Sequence, residues 1–158
     1  MNVAAVRWTM GLVAVVAGLG PWVTQAVGPV QYYALTPCRI VDTRNANGAT
    51  GGPALHDSAV RTFPIQGFCG VPTGAKAVSI NVTAVDPTAR GFLTLYPTGA
   101  SLPTASWVNF NMIVPVIANS GIVQLGTSGG FNYDLSVYAK APTGGTVHMV
   151  LDVTGYFQ

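Results

Sequence analysis

Between Ala77 and Val85 the chain alternates strictly, with Val78, Ile80, Val82 and Ala84 on one side and Ser79, Asn81 and Thr83 on the other. A period of two is the pattern of a half-buried strand, and Asp86-Pro87 closes the run. Similar runs recur at Tyr32 to Leu35, Cys38 to Arg44, Val60 to Gln66, Gly91 to Tyr96, Ala105 to Phe110, Ile122 to Leu125, Phe131 to Ala139 and Thr146 to Phe157. Turn residues separate them: Asn45-Ala46-Asn47-Gly48, Gly51-Gly52-Pro53, Pro97-Thr98-Gly99, Ser128-Gly129-Gly130 and Pro142-Thr143-Gly144-Gly145. Pro37 divides the first two runs, and Pro64 demotes the third to a sheet edge, because proline cannot donate to a ladder. The last run is apolar on both faces, which predicts an interior position. Short strands punctuated by turns predict an all-β fold: an antiparallel β-sandwich, jelly-roll or immunoglobulin-like, of eight to nine strands and no significant helix.

Composition sharpens this picture. The five acidic residues are all Asp, and Lys occurs only at Lys76 and Lys140. Val, Thr, Tyr, Phe and Gly abound, a balance that disfavours helices. Residues 1–26 have the layout of a secretory signal peptide: Arg7 supplies the positive charge, Trp8 to Val23 is apolar, and Thr24-Gln25-Ala26 offers small residues for cleavage. Gly18, Gly20 and Pro21 interrupt the apolar run, which argues against a retained membrane anchor. Removing 26 of the 158 residues leaves 132, one domain over 27–158, with six basic and five acidic side chains. These charges are scattered, which excludes nucleic acid and anionic lipid as favoured partners. Secretion to the cell surface or beyond makes a disulfide between Cys38 and Cys69 the expected state of the two cysteines.

Two runs read alike: Ile80-Asn81-Val82-Thr83-Ala84-Val85 and Leu151-Asp152-Val153-Thr154-Gly155-Tyr156. They predict two central strands in equivalent surroundings. The segments Pro37-Cys38-Arg39-Ile40-Val41-Asp42-Thr43-Arg44, Gly91-Phe92-Leu93-Thr94-Leu95-Tyr96-Pro97, Val108-Asn109-Phe110 and Leu151-Asp152-Val153-Thr154-Gly155-Tyr156-Phe157 together resemble a family of exported bacterial β-domains, met singly or in tandem beside other extracellular modules. The resemblance spans nearly all of 27–158. It implies an extracellular accessory domain and brings no catalytic residues with it.

The chain offers little for catalysis. Gly126-Thr127-Ser128-Gly129-Gly130 fits a nucleophile pattern, but that motif needs a strand turning into a helix, and strand patterns flank it on both sides. His56 and His148, the only histidines, lack a short-spaced partner for a metal. No cofactor or metal is expected. Asp152 interrupts an apolar strand and must be paired, since a lone buried carboxylate is costly; Arg39 and Arg44 are the available cations. A polar network of Asp42, Arg44, Asn81, Asn109 and Asp152 is the structural expectation, with a calcium site as the rival. For binding, flat aromatics beside amides can stack on sugar rings. Trp107, Asn109 and Asn111 share one side by alternation, and Tyr96, Tyr133 and Tyr138 are further candidate platforms; for Trp107 a core position is the favoured reading, since large aromatics usually bury most of their area. Function is therefore expected to be non-catalytic: an envelope- or polysaccharide-binding module, or a self-assembling structural subunit whose strand edges carry few charges.

Overall fold

The computed structural model describes residues 28–126 and 134–158. The described residues form nine strands: β1 (Tyr32–Asp42), β2 (Leu55–His56), β3 (Val60–Phe63), β4 (Ala77–Val85), β5 (Gly91–Pro97), β6 (Val108–Phe110), β7 (Val116–Gln124), β8 (Leu135–Lys140) and β9 (Thr146–Phe157). No helix occurs among the described residues, and none there could cross a membrane. One sheet runs β1-β9-β4-β7, with β2 pairing the start of β9; the other runs β3-β8-β5-β6. The pairs nest, β1 with β9, β3 with β8, β4 with β7 and β5 with β6. Such winding of antiparallel pairs into two facing sheets is a jelly roll.

The alternation seen in the sequence is what joins the layers. Val78, Ile80, Val82 and Ala84 of β4 face inward beside Val147, Met149, Leu151 and Val153 of β9. The opposing sheet contributes Phe63, Leu93, Leu95, Val108, Phe110, Leu135 and Val137. Fully buried side chains of this size each stabilise the fold by about 1.5–3 kcal/mol. The two look-alike strands are central and adjacent, with Asn81 directly opposite Asp152.

Several boundaries differ from expectation: β3 ends at Phe63 and β6 starts at Val108, both shorter than the runs that predict them. Tyr32–Asp42 is one strand, and Pro37 falls in a register shift between Ala34 and Cys38 where no ladder donor is needed. Leu55–His56 pairs with β9 where only a loop was expected. β7 starts at Val116, six residues before the apolar run, and takes in Asn119-Ser120-Gly121. The disulfide joins Cys38 of β1 to Cys69 in the loop after β3, with Cα atoms 5.8 Å apart.

Candidate functional site

The outward face of the four-stranded sheet carries two half-buried aromatic side chains, Phe92 and Tyr138, whereas Tyr32, Tyr33 and Phe68 are exposed elsewhere on the domain. Register sets its rows. Asn109, Phe92 and Lys140 lie side by side across β6, β5 and β8. The next row holds Thr94, Tyr138 and Val60, and the third Tyr96, Ser136 and Thr62. Phe92 and Tyr138, both half-buried, meet diagonally with ring centroids 6.4 Å apart and planes tilted by 56°. Diagonal neighbours on one sheet face come within reach when the side chains are aromatic. Thr94 and Ser136 are small and buried between the larger side chains.

At the Phe92 end this face opens into a cleft of about 550 Å³, lined by Asp57, Arg90, Gly91, Phe92, Phe110, Lys140, Ala141, Pro142 and Thr143. Its volume falls within the range of small-molecule sites, about 300–1,000 Å³. Gly91 has to be glycine, since a Cβ there would strike the Lys140 carbonyl and the Phe110 ring. Lys140 Nζ donates to Asp57 Oδ1 at 2.9 Å, and the same oxygen accepts from Ser58 Oγ (3.1 Å) and the Ala141 N–H (3.2 Å). The Lys140 bond holds the Asp57 carboxyl below its ordinary pKa, and Asp57 in turn raises that of Lys140. Arg90 is exposed at the rim and forms no ion pair among the described residues. Both ends of the domain lie at the far tip of the sandwich: Gln31 and Gln158 exchange backbone hydrogen bonds of 2.8 and 3.0 Å. The cleft sits by the β8–β9 turn, a β9 length away, roughly 35–40 Å at strand rise.

The sequence-derived candidates divide accordingly. Tyr138 and Asn109 belong to this face, and Asn109 is exposed beside Phe92. Tyr96 is on the same face but only 8% exposed. The turn after β5 folds over its row, with Thr98 Oγ1 3.0 Å from Ser136 Oγ, so no ring face remains for a ligand. Tyr133 and Ser128 lie outside the described residues.

Trp107 does not join Asn109. β6 begins at Val108, so strand alternation stops before Trp107, and its ring turns into the gap between β6 and β7. There it lies against Gly121, whose Cβ would meet the indole at 2.9 Å. Its Nε1 donates to the Asn119 carbonyl (3.2 Å), while Asn119 Nδ2 donates to the Trp107 carbonyl (2.7 Å). Trp107 thus seals one side of the core. Asn111, past the end of β6, uses its Oδ1 to accept from the backbone of Ile113 and Val114 at 2.8 and 3.0 Å.

The expected polar network is smaller than five residues and lies on the other sheet. Arg39 is its centre, donating to Asp152 Oδ1 (2.8 Å) and Oδ2 (3.2 Å) and, at 3.5 Å, to Asp42. Arg44 closes on Asp42 through Nε (2.8 Å) and Nη2 (2.6 Å). Asn81 instead accepts from Ser120 Oγ at 2.9 Å across β4 and β7, and among the described residues Asn109 reaches only Ser106. The carboxylates are thus saturated by arginines, the opposite of what calcium requires. Among the described residues no three His, Cys or Asp side chains converge as metal ligands.

Phe92, Arg90, Asp57 and Lys140 were not singled out from sequence. One signal was available: alternation in Gly91 to Tyr96 puts aromatics at both ends of a single outward face. The strand edges are also broken up. β1 is irregular around Pro37, β3 ends before Pro64, β6 has three residues, and Trp107 occupies a mid-strand carbonyl of β7. Comparison with protein-family models and with curated proteins finds no match.

Proposed function

We propose that this chain is an exported, non-catalytic module that binds polysaccharide through the outward face of its four-stranded sheet. The observation that carries the reading is the Phe92–Tyr138 pair, two half-buried rings flanked by the Asn109 amide and opening into a cleft with charged groups at its rim. Apolar ring faces suit the C–H side of a sugar, and amide, carboxylate and guanidinium groups suit its hydroxyls. The disulfide fits an oxidising compartment. A cleft distal to both Gln31 and Gln158 would face outward from any surface reached through those ends.

The interrupted strand edges weigh against a self-assembling subunit, because continuous edge pairing needs a regular free ladder. The test is retention of the purified chain on a panel of insoluble polysaccharides and cell-envelope fractions. Phe92→Ala and Tyr138→Ala should lose retention several-fold while keeping a native melting transition, and Trp107→Ala should remain bound wherever it stays folded. Folded Phe92 and Tyr138 variants that bind like the parent would refute the site. Retention on no polysaccharide at all would refute the function.

A further inference from the structure

The cleft is not electrically neutral, and its imbalance can be traced to one side chain. Three charged groups line it: Arg90, Lys140 and Asp57. Asp57 is committed to Lys140, Ser58 and the Ala141 N–H through its Oδ1. Lys140 shares its ammonium between Asp57 and Ser58 Oγ, the latter at 3.3 Å. Arg90 is left over.

The remaining described arginines are all occupied. Arg39 and Arg44 neutralise Asp152 and Asp42, and Arg61 donates to the carbonyls of Pro53, Gly48, Gly51 and Gly52 at 2.6–3.3 Å. A second cleft, of about 310 Å³ on the opposite sheet, contains Arg39 and Arg44 but is charge-compensated by those two carboxylates. The aromatic cleft therefore holds the one described arginine whose guanidinium has neither an ion-pair nor a hydrogen-bond partner among the described residues, and holds it beside a half-buried ring.

Resting on the polysaccharide reading, we infer that the bound sugar is acidic: a uronate-type residue of an anionic polysaccharide, its carboxylate facing Arg90 and its ring against Phe92. A guanidinium presents paired N–H groups that match a carboxylate's two oxygens, a fit an ammonium cannot reproduce. Lys140, its charge balanced by Asp57, adds ammonium N–H donors, and Asp57 Oδ2 accepts from neighbouring hydroxyls. The excess of one cation raises the local concentration of a polyanion and makes its binding sensitive to salt.

The experiment is affinity electrophoresis of the purified chain in polygalacturonate and in its carboxyl-reduced, neutral counterpart, at low and high sodium chloride. The acidic polymer should retard the protein at least about tenfold more strongly, equivalent to about 1.4 kcal/mol, and salt should erase the difference. Arg90→Ala should abolish the preference, and Arg90→Lys should restore only part of it. Equal retardation by both polymers, or a preference that survives Arg90→Ala, overturns the acidic assignment. The broader reading is judged separately: loss of neutral-polysaccharide binding in Phe92→Ala upholds it even then, and its absence for both polymers and the full panel removes both proposals.

Discussion

Replacing Asp42 with asparagine removes a charge while keeping the side chain's shape. The carboxylate is 9% exposed and receives the Arg44 backbone N–H (3.1 Å), Arg44 Nε and Nη2, and Arg39 Nη1. The Arg44 side-chain bonds, partly opposed by burial, pull its pKa from the ordinary 3.8 to about 2. At about 1.4 kcal/mol per pKa unit that lowering is worth about 2–3 kcal/mol. The two arginines are about half exposed, at 50% and 45%, so solvent screening reduces the contribution to about 1–2 kcal/mol.

The sign follows from linkage. A carboxyl whose folded pKa is depressed stabilises the fold fully above its unfolded pKa, and the contribution is lost as pH falls through 3.8 towards 2. Asp134 runs the other way: burial raises its pKa, so its contribution is present at low pH and lost as pH rises through the folded value. Urea denaturation of parent and Asp42→Asn should therefore show a gap of about 1–2 kcal/mol at neutral pH, or about 3–10 °C in melting temperature, closing as pH drops towards 2. A gap that is absent at neutral pH, or as large in acid as at neutrality, would refute the argument.

Other expectations follow from the same geometry. Trp107→Ala should cost about 2–3 kcal/mol by leaving a void under Gly121, and Gly121→Val should be comparably harmful because it strikes the indole; an unchanged urea midpoint in either would contradict the placement of that ring. Opening the Cys38–Cys69 bridge, which spans a sequence separation of 31, should lower stability by about 3.5 kcal/mol in the chain-entropy model, read from melting with and without reductant. Asp134→Ala removes the acceptors for the Ile65 and Gln66 N–H groups, at 2.8 and 2.9 Å, one bond being buried. It should cost about 2–3 kcal/mol, and amide exchange at Ile65 should accelerate.

How much of this was legible depends on where the information resides. β4 and β9 could be read residue by residue, because their alternation is local and their flanks are marked by Asp86-Pro87 and Gly144-Gly145. β7 could not. Asn119-Ser120-Gly121 has the composition of a turn, and the reason for that composition is the Trp107 ring, which requires a glycine and an asparagine opposite it. The core position favoured for Trp107 agrees with its packing, but its shared face with Asn109 does not hold, because alternation cannot be carried one residue beyond the strand's start at Val108. The ion pairs of Asp152 and Asp42 were half legible: a carboxylate in an apolar strand announces a partner, and Arg39 and Arg44 were the cations at hand. The cleft was hidden, since Asp57, Arg90 and Lys140 come from three separate connections or strand ends and meet only once the strand order is known.

That order has a consequence for how the chain must be completed. β9 is the final strand in sequence, yet it lies between β1 and β4 and packs Met149, Leu151 and Val153 into the interior. Deleting the last dozen residues would not shorten a border; it would take out the middle of a layer and leave two bare ladders facing each other. Stable tertiary structure must therefore wait for β9, because the segment that unites the sheet is made after the other eight strands.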